Sequence, residues 1–458
     1  MRKFLNLSLV AYRQIDFKVI LMLVIKLAAT ALGLYTTRWL NFNLDEQEVG
    51  LYYYGTIAYV GIVLAVLDLG LPKIVQKFYT NFNQPSETGR FWTTISMIRL
   101  LTYFIGVALI LFTYRLSGHE DINLILFVYS LQFVLVADLN YRSICDALGH
   151  SWQFSLTDFG NRVIIVGGLF FSQYLRPGWL GYLEYLLTIT FIAYIIGFTI
   201  DTFWQRKYTP YSKFDFKILK QQAKPMTLLG ASVFLAQIYM LSRQIILNNF
   251  FSAEEYGSML GAFGNADKVF IIAAIIPGLT MPMYASKIKR RLSLEQENTI
   301  SRKLRSRFKL GLRSSIILES SILSLILGIV IAAGVFLFSP WLIQLIDAQN
   351  KFPLTLDAVR IFAVAMIPFA LVFFMAHLQI FMGGEKYEFL GTLLLAILGL
   401  PLYFWVIPKY GIYGACWATV LIYFVDVLQK TIYMYLILRN DGGSSSKLAN
   451  LHQKFLKK

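Results

Sequence analysis

Charged side chains interrupt several long apolar stretches of this chain, and their types and positions could do chemistry. They are Lys26, Arg38, Arg99, Arg162, Arg243, Asp267, Lys268, Glu319, Arg360, Asp426 and Lys430. Clustered arginine and lysine bind phosphate groups, and a lone carboxylate can take up a proton. At the centre of a membrane helix such a charge costs about 2.5–3.5 kcal/mol on insertion scales, so it usually faces a protein interior or a wet cavity. An anion-binding or ion-coupling role therefore depends on whether the apolar stretches cross a membrane.

The apolar stretches are long enough to do so. Of the 458 residues, 57% are hydrophobic and 15% charged, whereas soluble domains carry about 25% charged residues. A membrane span needs roughly 20 apolar residues, and the chain offers about twelve such runs. We place them at 18–40, 49–71, 91–114, 122–144, 152–175, 180–203, 226–249, 256–286, 308–338, 355–382, 387–407 and 411–438. The sequence predicts an all-α polytopic membrane protein.

The positions of the basic residues predict the orientation. Most of the 42 Lys and Arg residues lie in the N-terminus, the even-numbered loops and the C-terminus. The opposite loops contain only Arg115, Arg176, Lys351 and Lys409. By the positive-inside rule both termini are cytoplasmic. The net charge of +16 is then explained by topology and by attraction to anionic membrane lipids, and we expect no nucleic-acid partner.

Two pairs of charges have a local explanation. Asp158 and Arg162 are four residues apart with the acid first, and Asp426 and Lys430 repeat the arrangement. Residues four apart share a helix face, so the sequence favours an internal ion pair at each place. Asp138, near the inner end of its span, is expected to pair with a basic loop.

Other kinds of chemistry have little support. Cys145 and Cys416 are distant from each other in the sequence, and the four histidines are scattered, so we expect no disulfide, no metal site and no cofactor. No glycine-rich phosphate loop or nucleophile motif stands out. A membrane glycan polymerase or acyltransferase is the enzyme alternative. A polymerase would be expected to carry its catalytic residues in large outward loops, whereas the outward loops here are short and contain few charged residues. We therefore expect a protein that is not an enzyme.

The two halves of the chain contain similar short sequences in the same order. Three landmarks recur in the same order: Glu48-Val-Gly50 with Glu255-Tyr-Gly257, Gly149–Phe154 with Gly384–Phe389, and Gly178-Trp-Leu-Gly181 with Gly411-Ile-Tyr-Gly414. Duplication of a six-helix unit explains this order, and chance recurrence of glycine-rich helix starts is the alternative. The predicted parts are a six-helix lobe at 1–203, a cytoplasmic connecting loop at 204–224, a second lobe at 225–438 and a basic tail at 439–458.

Three stretches carry a resemblance to a known family: "TTRWLNFNLDEQEVGLYYYG", "LGLPKIVQKF" and "YGIYGACWATVLIYFV". They resemble the polysaccharide flippases of the multidrug/oligosaccharidyl-lipid/polysaccharide exporter superfamily. In that family helix 1 ends in an arginine and helix 2 opens with Glu-x-Gly-x-Tyr. Here Arg38-Trp-Leu-Asn41 stands in place of the usual Arg-Leu-Leu-Gly.

The resemblance implies a function. Such a protein moves an undecaprenyl-pyrophosphate-linked oligosaccharide, as for O-antigen and lipopolysaccharide, across the bacterial inner membrane by alternating access. Its partners would be this lipid-linked oligosaccharide, membrane lipids and other polysaccharide-assembly membrane proteins. A multidrug exporter of the same superfamily remains the alternative, although such exporters usually neutralise cationic drugs with carboxylates.

The resemblance also implies a site. In the family the first two helices of each half line a central cavity, so Lys26, Arg38, Arg243 and Lys268 would give it a cationic interior. Arg99 and Arg360 complete the substrate-binding candidates, and Glu319 and Asp267 are the candidates for ion or proton coupling. Structural alternatives stay open: pairing with another helix for the buried cations, snorkelling to head groups for Arg38 and Arg360, and hydrogen bonds with neighbouring serines for Glu319.

Overall fold

The computed structural model of the chain describes residues 17–53, 60–68, 71–72, 75, 85–117, 122–148, 151–178, 180–209, 212–251, 258–270, 305–382 and 384–456. Within these ranges the backbone is helical apart from short connections, and no strand occurs. The all-α prediction is confirmed.

The chain divides into two compact units. The first comprises Met1–Met226 together with Ile343–Lys351, and the second comprises Thr227–Leu342 and Phe352–Lys458. The predicted connecting loop at 204–224 contains the end of one helix at Tyr208 and the start of the next at Phe216. Between them the backbone amides of Ser212 and Asp215 donate to Thr93 and Thr94, at 3.0 and 3.1 Å.

The first unit contains eight described helices. They are α1 (Phe17–Asn43), α2 (Glu46–Tyr53), α3 (Val60–Asp68), α4 (Pro85–Ser117), α5 (Ile122–Leu148), α6 (Ser151–Phe170), α7 (Ser172–Leu175) and α8 (Tyr182–Tyr208). Helix α6 packs against both α1 and α8. Glycines permit this close approach, because a Cβ at Gly33 of α1 would lie 2.7 Å from Nη1 of Arg162, and one at Gly197 of α8 would meet the Asn161 amide.

The second unit contains most of α9 (Phe216–Phe250) and of α11 (Arg305–Ile346), whose residues up to Met226 and from Ile343 belong to the first unit. It also contains α10 (258–270), α12 (Thr355–Phe381) and α13 (Glu385–Leu456). Among the long apolar helices that the structure describes, α12 is the most buried and α11 the most exposed. Leu323, Ile326 and Val330 lie on the exposed surface of α11, as expected for a helix that faces lipid.

Glycine 411 breaks α13 into two helices. Its φ of 54° and ψ of −133° lie in a region that only glycine adopts readily. The break coincides with the predicted start of the last span, in Gly411-Ile-Tyr-Gly414. Helix continues to Leu456, through most of the predicted basic tail.

Six helical segments among the described residues are long and apolar enough to cross a membrane: Glu87–Phe112, Tyr182–Arg206, Met226–Leu247, Ser321–Ile346, Thr355–Ile380 and Glu385–Ile437. The last, with 53 residues, has the length of two crossings.

A reciprocal cap explains the acidic start of α2. The Glu48 amide donates to Oδ1 of Asp45 at 2.7 Å, and the Asp45 amide donates to Oε2 of Glu48 at 3.0 Å. This capping box satisfies two backbone donors that the first turn of a helix leaves open. The glutamate of the Glu-x-Gly-x-Tyr motif therefore has a local structural role here.

The segment Ile343–Lys351 closes the end of α1. Nζ of Lys351 donates to the Leu44 carbonyl oxygen and, at 3.4 Å, to that of Asn41. The Asn41 amide group donates to the Ile346 carbonyl at 2.9 Å. Carbonyls at a helix C-terminus lack partners within the helix, and a cation is favourable there.

Candidate functional site: a buried charge cluster in the first unit

Three helix residues form a buried charge cluster, which we call the first-unit cluster: Lys26 of α1 with Asp158 and Arg162 of α6. Nζ of Lys26 lies 2.8 Å from Oδ2 of Asp158. Nε of Arg162 lies 3.7 Å from Oδ1 of the same carboxylate, one helical turn away. The predicted Asp158–Arg162 pair is thus confirmed, and the structure adds a lysine from another helix.

The members of the cluster differ in accessibility. The Lys26 side chain is 9% exposed and that of Asp158 is 19% exposed, whereas Arg162 keeps 35% of its side chain accessible. Its guanidinium packs over Gly33, where any larger residue would meet Nη1. Arg162 is therefore the cation of the cluster best placed to reach a ligand.

An aromatic ring links the cluster to a further cation. Nζ of Lys26 lies 5.2 Å from the ring centroid of Phe154, and the guanidinium carbon of Arg142 lies 5.6 Å from it. Both distances suit cation–π attraction. Because Phe154, Asp158 and Arg162 are spaced by four residues, they share one face of α6.

Next to the cluster lies a pair of buried carboxyl groups, which we call the aspartate pair: Asp138 of α5 and Asp201 of α8. Asp138 is 6% exposed and Asp201 is 0% exposed. Oγ1 of Thr157 donates to Oδ1 of Asp201 at 2.7 Å. The expected partners of Asp138 in the basic loops lie partly outside the described residues, so its pairing with a basic loop stays a prediction.

In the second unit Arg243 is held on several sides. Its Nε donates to the Met240 carbonyl at 2.7 Å and its Nη1 to Oγ1 of Thr419 at 2.9 Å. Nη2 lies 3.6 Å from Oδ1 of Asp267, and the Arg243 side chain is 4% exposed. The residue is thus paired across helices, which is the structural alternative that its sequence position left open, and its role towards a substrate stays a prediction.

A second lysine of the second unit faces two carboxylates. Nζ of Lys430 lies 2.6 Å from Oε2 of Glu388 and 3.7 Å from Oδ1 of Asp426. The Gln429 amide donates to the same Asp426 oxygen at 2.8 Å. The predicted Asp426–Lys430 pair is confirmed, but Glu388, 42 residues from Lys430, is the closer partner.

The remaining predicted site residues lie in separate places. Arg38 is exposed near the end of α1, Arg99 is buried in α4, and Lys268 is half-buried in α10. The half-buried Arg360 places its guanidinium 5.5 Å from the Phe336 ring. The side chain of Glu319 lies outside the described residues. No local sequence pattern pointed to the pairing of Asp201 or Glu388, because their partners come from other helices.

The arrangement can bind charge but offers little for covalent chemistry. Within the part of the chain that the structure describes, no three His, Cys, Asp or Glu side chains are grouped closely enough to hold a metal ion. Cys145 and Cys416 are buried free thiols. What the first unit provides is an accessible arginine, a buried lysine and a carboxyl pair.

Solved structures with this helical arrangement occur among transporters. An outward-facing multidrug resistance MATE family transporter of the MOP superfamily superposes with a TM-score of 0.67 at 13% sequence identity, over 92% of this chain and 95% of that chain. The inward-facing conformation of a transporter described in the same words gives a TM-score of 0.65 at 13% identity, over 94% of this chain and 99% of that chain. The chain has the MATE transporter fold.

A third MATE-like structure concerns function. A MOP superfamily transporter from Pyrococcus furiosus, described as having a binding pocket whose reverse polarity suggests a different function, gives a TM-score of 0.65 at 12% identity, over 94% of this chain and 97% of that chain. No protein-family model matches the sequence, and no curated protein matches it.

The MATE fold accounts for the predicted architecture. Its two six-helix lobes agree with the predicted fold class of a polytopic all-α protein. The neighbours are transporters of the superfamily that the sequence resembles, and none of those compared is an enzyme. At 12–13% identity this likeness shows the fold, so the substrate has to be argued from the charges.

Proposed function

We propose that the chain is a flippase that moves an undecaprenyl-pyrophosphate-linked oligosaccharide from the inner to the outer leaflet of a bacterial inner membrane by alternating access. The observation that carries this proposal is the first-unit cluster, in which two cations share one carboxylate. Arg142, whose guanidinium lies over the same Phe154 ring as Lys26, is a third cation near this carboxylate. The excess is positive, which suits an anionic pyrophosphate.

Arg162 is the residue we expect to contact the phosphate. It is bound to Asp158 at 3.7 Å through Nε and keeps about a third of its side chain accessible. An arginine fork can hold two phosphate oxygens at once, which a lysine cannot. Lys26 would act by neutralising Asp158, so that this carboxylate does not repel the arriving anion. The other predicted cations, Arg38 above all, remain candidates for contacts at the ends of the path.

No covalent step is required. Transport by alternating access needs only that the site be open to one side and then to the other. The sugars would cross in a wet path while the lipid tail stays in the bilayer. We include membrane lipids and other polysaccharide-assembly membrane proteins among the expected partners.

A multidrug exporter is the second candidate, and two observations favour it. Structural neighbours include transporters described as multidrug resistance proteins, and the first unit contains the buried carboxyls of Asp138 and Asp201. A carboxylate that loses its proton can bind a cationic drug. For the Pyrococcus furiosus transporter, the reversed polarity of the binding pocket suggests a different function. By the same reasoning, the positive excess in the first-unit cluster supports the flippase.

The test is transport by purified protein in proteoliposomes. A fluorescent pyrophosphate-linked oligosaccharide should move between leaflets without covalent change, and a lipophilic cationic dye should not be exported. Removing one charge-assisted hydrogen bond costs about 1.5–3 kcal/mol, so Arg162→Gln should reduce substrate affinity roughly 10- to 150-fold, with partial recovery in Arg162→Lys.

The matched control is Arg90→Gln, because Arg90 is an exposed arginine at the start of α4 outside the cluster. It should transport at the wild-type rate. Export of the dye with no movement of the lipid-linked oligosaccharide would overturn the proposal in favour of the multidrug exporter.

A further inference from the structure

The tip of the Arg162 side chain lies against a glycine of the neighbouring helix. A Cβ built on Gly33 of α1 would lie 2.7 Å from Nη1 of Arg162 and 3.5 Å from its guanidinium carbon. The first distance is too short for a carbon and a nitrogen that are not bonded to each other. Only glycine therefore fits at position 33 while the guanidinium keeps this place, which is a use of glycine at close approaches.

The residues on α1 and α6 meet in the same order. Lys26 and Gly33 are seven residues apart and lie on one face of α1, and Asp158 and Arg162 are four apart on one face of α6. Lys26 contacts Asp158, and Gly33 contacts Arg162. The guanidinium of Arg162 thus has two neighbours: the carboxylate of its own helix and the glycine of the facing helix.

The contact between Arg162 and Asp158 is loose. Nε of Arg162 lies 3.7 Å from Oδ1 of Asp158, whereas a charge-assisted N–H···O bond is about 2.7–2.9 Å long. Lys26 holds the other carboxylate oxygen at 2.8 Å. No side chain at position 33 pushes the guanidinium towards the carboxylate, and 35% of the Arg162 side chain stays exposed.

We propose that Gly33 is a positioning residue for Arg162, because the space that it leaves on α1 keeps the guanidinium apart from Asp158 and available to the phosphate groups of the substrate. A methyl group at position 33 would fill that space, and the guanidinium would move towards its ion-pair partner Asp158. Phosphate binding rests on the proposed function. The position of the guanidinium does not depend on it.

A methyl group at position 33 should cost the fold little. Outside α1 itself, the only atoms of the described residues within 4 Å of the built Cβ are Nη1 and the guanidinium carbon of Arg162, which form the mobile end of a long side chain. Alanine also favours a helix more than glycine does. At Gly328 of α11, by contrast, a Cβ would lie 2.8 Å from the Ile367 backbone oxygen, so alanine there should disturb helix packing.

The first measurement is the affinity of the purified full chain in nanodiscs for inorganic pyrophosphate, by isothermal titration calorimetry. Gly33→Ala should weaken binding roughly 3- to 10-fold, less than Arg162→Gln, because the guanidinium is displaced and not removed. In the Arg162→Lys background the same change should have no further effect, since lysine has no forked tip to meet the methyl group.

The matched control is Gly160→Ala. Gly160 lies in the middle of α6, and a Cβ built there meets nothing within 4 Å among the described residues. It is two residues from both Asp158 and Arg162, so it does not share their helix face. This variant should bind pyrophosphate as the wild type does.

Two further measurements need no ligand. An arginine-specific reagent such as phenylglyoxal, with the adduct at Arg162 quantified by mass spectrometry, should react more slowly in Gly33→Ala than in the wild type, because the guanidinium is then closer to Asp158. In SDS-induced unfolding, Gly33→Ala and Gly160→Ala should be at least as stable as the wild type, and Gly328→Ala should be less stable.

Three results would each contradict the positioning role of Gly33. Arg162 of Gly33→Ala could react as fast as in the wild type or faster. The change could weaken pyrophosphate binding equally in the Arg162→Lys background, which would show that it does not act through the guanidinium. Gly33→Ala could also lose as much stability as Gly328→Ala, which would show a packing role. Failure of the flippase proposal gives a different pattern: the wild type would not bind pyrophosphate, while Gly33→Ala would still slow the modification of Arg162.

Discussion

Replacing Asp158 with asparagine should destabilise the first unit more than replacing either of its cationic partners. Asp158 is the shared counter-ion of Lys26 and Arg162, so its loss leaves two cations without their carboxylate. Lys26→Met, by contrast, leaves Asp158 with Arg162. The two losses differ because Asp158 pairs with two cations, whereas Lys26 and Arg162 share this one carboxylate.

The distance between Lys26 and Asp158 gives the expected size of the loss in stability. At the 2.8 Å separation of Nζ of Lys26 from Oδ2 of Asp158, the Coulomb attraction is about 6 kcal/mol at an effective dielectric constant of 20. Much of it offsets the cost of removing the two charges from water, and breaking a buried pair by removing one partner typically costs 3–5 kcal/mol. The Arg162 contact is longer and more exposed, so its share is about 0–1 kcal/mol. We expect a loss of about 3–5 kcal/mol for Asp158→Asn, and a loss smaller by about 0–1 kcal/mol for Lys26→Met, which keeps the Arg162 contact.

The assay is SDS-induced unfolding of the purified protein in bicelles, run as a double-mutant cycle with Asp158→Asn, Lys26→Met and both together. The double variant should be more stable than the sum of the single losses implies, because the unpaired lysine is then absent. A larger loss for Lys26→Met than for Asp158→Asn, or a loss below about 0.5 kcal/mol for Asp158→Asn, would refute the reasoning that this buried carboxylate neutralises both cations.

Three further predictions concern other parts of the chain. Gly411→Ala should lower the free energy of unfolding by about 1–3 kcal/mol, the usual cost of a side chain at such a backbone conformation, and an effect below about 0.5 kcal/mol in the same unfolding assay would contradict it. Lys430→Met should destabilise the second unit, since it leaves Glu388 buried without its lysine, and Glu388→Gln should restore part of the loss. Cysteines placed at Ser293 and Ser444 should resist an impermeant thiol reagent added outside intact cells, whereas strong labelling would reverse the predicted orientation.

Much of the fold could be predicted because long apolar runs admit few structures in a membrane. Every backbone polar group must be satisfied within the span, so such runs become helices. The break at Gly411 was also visible, since glycine marks the place where a helix ends. Local ion pairs such as Asp158–Arg162 could be predicted for the same reason, because one helix fixes the distance between residues four apart.

The candidate site was harder to predict because its parts come from different helices. Lys26 and Asp158 are separated by 132 residues, and no periodic pattern in one sequence indicates which helices pack together. Asp201 lies shortly before Arg206 and Lys207, so it looks like a residue of a charged rim. In the structure it is fully buried and accepts a hydrogen bond from the Thr157 hydroxyl at 2.7 Å. Only the packing of α6 against α8 brings the Asp201 carboxyl group within hydrogen-bonding distance of Thr157.

The break at Gly411 also limits how the protein can be engineered. Helix resumes directly after this residue, so the connection contains no spare polar segment. An epitope or fluorescent tag inserted there would have to unwind at least one helical turn. Residues 176–178 and 180–181, between the end of α7 at Leu175 and the start of α8 at Tyr182, are not helical. They are the better place for an insertion on the side that the charge pattern assigns to the outside.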